Sequence, residues 1–74
     1  MITSDRETLR RIGRNLAAER ARRGHTQERL AELSQVSVAH VARMERGEVD
    51  AGVLKYVHIA RALDVPLSVL FQGA

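Results

Sequence analysis

Apolar residues recur along the chain at helical spacing, and no segment alternates as a strand would. Leu9, Ile12 and Leu16 stand at i, i+3 and i+7. In front of them Ser4 and Glu7 have the form of a capping box, in which Ser4 caps the helix start and Glu7 reaches back to it. Arginines precede Gly24, where cations suit the negative end of a helix and glycine suits its stop. This spacing predicts a first helix over about residues 5–22. Thr26 caps a second, two-turn helix over 27–34. "QVS" then interrupts, Ser37 caps a third helix over 38–45, and Gly47 ends it. A fourth helix starts near Gly52 and runs to Leu63, with Val53, Tyr56, Ala60 and Leu63 as its stripe. Pro66 is expected as the first residue of a last helix over 66–71.

None of these short helices would be stable alone in water, so they require a shared core. The pattern therefore predicts an all-α domain of five helices. Its core is expected from Leu9, Ile12, Leu16, Leu30, Ala31, Val36, Val41, Met44, Val53, Tyr56, Ile59, Ala60, Leu63, Val65, Leu67 and Leu70.

The third helix does not fit a simple inside–outside division. At about 100° per residue, Val41, Met44 and Glu45 fall on one side. Ala39, Ala42, Arg43 and Arg46 fall on the other, with Val38 at the edge. A carboxylate on a core-facing stripe is costly unless paired. Arg20 lies four residues beyond Leu16 on the inward stripe of the first helix. An ion pair between Arg20 and Glu45 is expected; the alternative is that both side chains reach solvent separately. The outer face admits two readings. Alanine is a good helix former on an ordinary solvated face. Equally, small side chains let a helix approach a surface, while arginine offers a fork that matches guanine or phosphate.

Composition narrows the choice. Seventy-four residues fit one domain, residues 1–74. There is no Cys, so the chain has neither disulfide nor thiolate chemistry. With one Phe, one Tyr and no Trp, its core must be aliphatic. Eleven of the twelve basic residues are Arg, and residues 1–29 carry a net charge of +4 against −1 for the remainder. Such asymmetry suits a polyanion, although a solubility role for the charge fits too. No apolar run approaches the ~18 residues that span a bilayer, and the N-terminus lacks the apolar region of a signal peptide. A cytoplasmic, nucleoid-associated location is expected. His25, His40 and His58 show no metal-ligand spacing, and no nucleophile–base arrangement or glycine-rich phosphate loop occurs. Neither an enzyme nor a cofactor or metal site is expected.

The stretch "TQERLAELSQVSVAHVARMERG" resembles the helix-turn-helix of the phage-repressor-like family, which includes the Cro proteins and the xenobiotic-response-element regulators. "TQERLA" opens the motif's first helix, "VS" leads into its second, and "VARMERG" closes it, over about residues 26–47. "IGRNLAAERARRGHT" and "VLKYVHIARALDVPLSVLF" resemble the flanking helices, so the similarity covers about residues 9–71. The resemblance implies a lambda-repressor-like domain that acts as a homodimer on a partly palindromic DNA operator, with helix 3 in the major groove. It places Val38, Ala39 and Arg43 against base edges. It places Ser37 and Arg46 at the phosphate backbone, and Gln27 either at a phosphate or bracing helix 3. The family often pairs an Arg and a Glu at the positions of Arg20 and Glu45. His40 flanks the reading face as a further phosphate candidate, and His25 lies beside the motif's start.

Two departures matter. The family usually has glycine in the turn, where this chain has Gln35; a left-handed conformation there would cost about 1–2 kcal/mol. Ala51-Gly52 stands where relatives carry Pro-Ser. Leu54, Val69 and Phe71 are apolar beyond what the stripes need and are candidates for a dimer interface; the alternative is that Phe71 completes the core and the others are scattered surface apolars. Control is expected from the protein's own concentration, operator arrangement or a partner protein, a pattern that, among small single-domain relatives, suits autoregulated restriction–modification controllers or phage-type repressors. The rivals are an antitoxin, which would keep DNA binding and hold a toxin, and a helical interaction module without DNA binding. A toxin or polymerase partner is left open.

Overall fold

The computed structural model describes residues 4–74 as five helices. They are α1 (Asp5–Arg22), α2 (Gln27–Ser34), α3 (Val38–Glu45), α4 (Val53–Leu63) and α5 (Leu67–Leu70), and no strand occurs among the described residues. Each of the first three begins on a hydroxyl. The Glu7, Arg29 and His40 amides donate to Ser4 Oγ, Thr26 Oγ1 and Ser37 Oγ at 3.0–3.1 Å, which relieves one unpaired N–H at each start. Pro66 stands just before α5 with φ −62° and ψ 147°, so this helix is shorter at both ends than the apolar pattern implied.

The ends are closed by one device used three times. After α1 the amides of Gly24 and His25 donate to the Ala21 and Arg20 carbonyls at 2.9 and 3.1 Å. After α3, Gly47 and Glu48 donate to Met44 and Arg43 at 3.1 and 3.0 Å. After α4, Asp64 and Val65 donate to Arg61 and Ala60 at 3.1 and 3.0 Å. These are paired reverse bonds around a left-handed residue. Glycine takes that conformation freely at positions 24 and 47, while Asp64 adopts φ 56° with a side chain attached.

The core is aliphatic: Leu16, Leu30, Val41, Met44, Ile59, Leu63 and Leu70 are fully enclosed, with Ile12, Val36, Tyr56 and Ala60 around them. Ala31, Val65, Leu67 and Phe71 pack against it half-buried, and Leu9 is also half-buried. Phe71 meets the Tyr56 ring edge-on at 5.4 Å between centroids. Val53 does not join the core. It is the first residue of α4, just beyond the bend at Gly52, and it is 59% exposed. Beside it Leu54 is 68% exposed.

α3 touches α1 on one side and α2 on the other, while α4 and α5 close the far side against α2 and α1. The contact between α1 and α3 is a backbone contact. A Cβ on Gly13 would lie 2.4 Å from the Glu45 carbonyl oxygen and 2.5 Å from that of Met44. One turn earlier, a Cβ on Gly47 would lie 2.7 Å from both Cα and N of Arg10. Two glycines, one on each partner, thus let the axes approach more closely than any side chain allows.

Two polar groups also fix α1. Asn15 Nδ2 donates to the carbonyls of Leu70 and Gln72 at 2.9 and 2.8 Å, tying the end of α5 to the middle of α1. Glu19 is buried at 8% exposure, and its carboxylate accepts from Arg22 and Arg23 at 2.7 and 2.6 Å. Gly13→Ala therefore has no room for its methyl unless α1 and α3 separate. It should cost at least the roughly 1–3 kcal/mol of an overpacked core, read from the midpoint of urea unfolding. A neutral or stabilising effect, as helix propensity alone would give, would contradict this packing.

Candidate nucleic-acid interface

α3 presents two unlike faces. Val41 and Met44 are buried. On the same inward side, the Glu45 carboxylate is 6% exposed and accepts three hydrogen bonds. Arg20 donates Nε–H to Oε2 at 2.6 Å and Nη2–H to Oε1 at 3.0 Å. Gln27 Nε2 adds a bond to Oε1 at 2.9 Å. Arg20 also donates Nη1–H to the His25 carbonyl at 2.8 Å, so one guanidinium joins α1, the α1–α2 turn and α3. Its pKa is raised by the Glu45 hydrogen bond, which keeps the charge fixed at every accessible pH. A bidentate fork restricts angle as well as distance, so this cluster sets the orientation of α3 on the rest of the molecule.

The turn between α2 and α3 is equally defined. Gln35 adopts φ 60° and ψ 27°, the left-handed conformation that glycine would take without strain. It is held there from both sides. Ser34 is buried, donates Oγ–H to the Leu30 carbonyl at 2.7 Å and accepts from the Val36 amide at 3.3 Å. Val36 is 5% exposed within the core. The turn therefore keeps the left-handed geometry that the residue type disfavours.

The opposite side of α3 is open. Val38, Ala39 and Arg43 are exposed, with Val38 at 43%, and Ala42 is half-buried. Arg43 makes no ion pair with any described residue. Ser37 is exposed at the start of the helix. Arg46 is exposed too, but its fork is engaged with Glu48 at 2.9 and 3.0 Å, and that contact holds the Glu48 carboxyl below its ordinary range. His40 is half-buried, and its Nε2 is enclosed without a hydrogen-bond partner among the described residues, which leaves Nδ1 as the ring's route to a phosphate. Gln27 is half-buried and spends one amide hydrogen on Glu45. The structure thus brings Ser37, Val38, Ala39 and Arg43 to one open face and commits Gln27, Arg20 and Glu45 behind it. Leu54 lies apart on α4, exposed, while Val69 and Phe71 on and after α5 are half-buried.

Four structural residues carried no distinct signal in the sequence. Gly13 reads as a poor helix former, Asn15 and Glu19 as surface polar residues, and Ser34 as the last residue of a helix. A clue was available for two of them: Gly13 and Glu19 share the inward stripe with Ile12 and Leu16. Among the described residues no group of three or more His, Asp or Glu is placed to hold a metal ion, and no helix is long and apolar enough to cross a membrane.

Two short helices joined by a tight left-handed turn, the second open on its outer side and anchored on its inner side, define a helix-turn-helix protein. The sequence model of the HTH_3 helix-turn-helix family matches residues 16–70, and the chain belongs to this family. Among solved structures it is similar to the restriction–modification controller protein C.AhdI from Aeromonas hydrophila. The identity is 33% over 85% of this chain and 96% of that one, with a TM-score of 0.83. It is also similar to an HTH_3 family transcriptional regulator from Vibrio cholerae, at 29% identity and a TM-score of 0.87. That match covers 92% of this chain but 38% of the Vibrio protein. The clp gene regulator ClgR from C. glutamicum matches at 26% identity over 93% of this chain and 86% of its own, with a TM-score of 0.80. A search of curated protein sequences gave no match.

Replacing Gln35 by glycine should remove the left-handed penalty of about 1–2 kcal/mol. The greater freedom of the unfolded chain offsets about 0.5–1 kcal/mol of that gain. The net expectation is a gain of roughly 0.5–1 kcal/mol in chemical unfolding, whereas Gln35→Val should lose stability. A destabilised glycine variant would show that Gln35 is held by contacts beyond its backbone angles.

Proposed function

We propose that the protein is a sequence-specific DNA-binding transcriptional regulator that acts as a homodimer on a partly palindromic operator, in the manner of a restriction–modification controller. The observation that carries this reading is the division of α3. Its inner side is clamped by Arg20, Gln27 and Glu45. Its outer side offers small residues around one arginine that is unpaired among the described residues. A helix built to be solvated has no need of so fixed an attitude.

In this reading α3 enters the major groove, which admits a helix of this size. Arg43 donates two of its N–H groups to guanine O6 and N7. Val38 and Ala39 make apolar contact with thymine methyls and add discrimination through fit and DNA shape. Ser37, at the helix start, meets the phosphate backbone. Arg46 does so by exchanging Glu48 for a phosphate, and Gln27 uses its remaining amide hydrogen. His40 contributes through Nδ1. These phosphate contacts position the protein, and the contacts along α3 select the sequence.

Support for a dimer comes from Val53 and Leu54, two exposed apolar residues in succession on α4. Val69 and Phe71 continue the apolar surface at α5, although Phe71 spends one edge on Tyr56. A two-fold dimer would set two copies of α3 about 34 Å apart, one turn of DNA. The likeness to C.AhdI, a controller protein nearly all of whose chain is matched, supports a role of that kind.

Selection of bound duplexes from a random pool should return inverted half-sites centred about one turn apart. On that operator Arg43→Ala should lose about 1–3 kcal/mol of affinity and relax the preference at one base position in each half-site. Its binding to unrelated DNA should change little. An Arg43→Ala protein that keeps the parent's affinity and sequence preference would remove Arg43 from base reading.

A further inference from the structure

The arginines of α1 fall into two groups. In its C-terminal half Arg20, Arg22 and Arg23 are all engaged with carboxylates of the fold. In its N-terminal half Arg6, Arg10, Arg11 and Arg14 are all exposed, and none makes an ion pair with a described residue. Arg6, Arg10 and Arg14 recur every four residues, so they form one ridge spanning about 12 Å at 1.5 Å per residue. The reading of α3 as the DNA-facing helix makes no use of them.

Their surroundings join them to α3. Arg6 and Arg10 line one hollow together with Arg46, Gly47 and Glu48 at the end of α3. Arg10, Arg11 and Arg14 line a second, smaller hollow of about 210 Å³ with Glu7 and Gly73. Arg10 is common to both, so cationic surface continues from the end of α3 along α1. Two acids interrupt it, and one of them, Glu48, is already neutralised by Arg46. The ridge is also rigidly placed. The Arg10 backbone abuts Gly47, and Gly13 abuts the Met44 and Glu45 carbonyls, so α1 cannot shift against α3.

We infer that the ridge of Arg6, Arg10 and Arg14, flanked by Arg11, is a second phosphate-binding track. It grips the backbone of the same duplex at phosphates that α3 and its cap do not reach. This inference rests on the DNA-binding reading above. The geometry favours a polymer over a single anion. The guanidinium-bearing positions are strung along a line and do not converge on one point, and 12 Å spans several phosphates of a strand rising about 3.4 Å per nucleotide. Guanidinium also matches phosphate oxygens in a two-pronged way that exposed lysines would not. Because the ridge is fixed to α3, its phosphates stand at a set offset from the bases that Arg43 reads. It adds affinity and register without adding sequence preference.

The test compares the parent with Arg6→Gln/Arg10→Gln/Arg14→Gln on the selected operator. Glutamine is also a good helix former and the sites are exposed, so thermal melting checks that the variant remains folded. Each lost phosphate contact should lower the slope of log affinity against log salt by about 0.9, so the variant's slope should be shallower by about 2–3. The fall in affinity between 50 and 200 mM salt should then be about 40-fold smaller than the parent's. A scan of duplexes carrying one neutral methylphosphonate at a time should show a contiguous set of phosphates that matter to the parent and not to the variant. The base preference should be shared by both. An unchanged salt slope would overturn the track. So would a shallower slope with an unchanged phosphate pattern, which would mean distant attraction without contact. If the parent selects no duplex at all, both the track and the DNA-binding reading fall. If it selects one that the variant binds like the parent, only the track falls.

Discussion

The carboxylate of Glu45 is the group on which the arrangement of this protein turns. It sits on the inward side of α3, nearly out of water, where an unpaired charge would cost several kcal/mol. Three donors from two other helices meet it: two from Arg20 on α1 and one from Gln27 on α2. The charge is thereby made tolerable only when α1, α2 and α3 stand in one mutual orientation. Apolar packing alone is less selective, because aliphatic cores accept many rearrangements of similar volume. Here two of those helices, α1 and α3, also meet through glycine. Gly13 and Gly47 bring α1 and α3 to backbone contact, and that approach is what places the Arg20 fork on Glu45 at 2.6 Å.

Charge in this molecule is allocated in the fold and cannot be judged by its total. The chain is strongly basic in composition, yet Arg20, Arg22, Arg23, Arg29 and Arg46 are each spent on a glutamate. What remains unpaired among the described residues is Arg43 on the open face of α3, the four arginines in the N-terminal half of α1, and Lys55 and Arg61 on α4. Affinity for a charged polymer depends on the arginines that stay unpaired and on how rigidly they are carried. Net charge is therefore a coarse guide to where such a protein touches its partner.

How much of this was legible in the sequence follows from the geometry of helices. Caps at Ser4, Thr26 and Ser37 are local signals, and each hydroxyl is found on the amide three residues on. The juxtaposition of Arg20 with Glu45 could be drawn because both lie on inward stripes, and the 100° repeat fixes direction without knowledge of the fold. Val53 illustrates the limit. The stripe that runs through Tyr56, Ala60 and Leu63 includes it, but at the first position of α4 the chain has just turned at Gly52, and the side chain is left mostly exposed. Gly13, Asn15 and Glu19 were not legible for a different reason. The roles of Gly13 and Asn15 depend on which distant segment lies opposite, the Met44 and Glu45 carbonyls and the end of α5, whereas Glu19 pairs locally with Arg22 and Arg23 and only its burial depends on the fold. Gln35 lay between these cases. Its position in the turn was evident, and its left-handed angles became definite only with buried Ser34 and Val36 on either side.

The central claim is that the Arg20–Glu45 pair couples the helices and so aims α3. A double-mutant cycle tests it most directly, with Arg20→Met, Glu45→Leu and the two combined, each measured by urea unfolding. Removing one partner from a buried pair costs on the order of 3–5 kcal/mol, and replacing both with apolar groups of similar size is often neutral. Each single change should cost about 3 kcal/mol, and the double variant should regain at least about 2 kcal/mol of the summed loss. Costs for the two residues that simply add would show that they do not act as a pair, and the orientation of α3 would then have to come from packing alone.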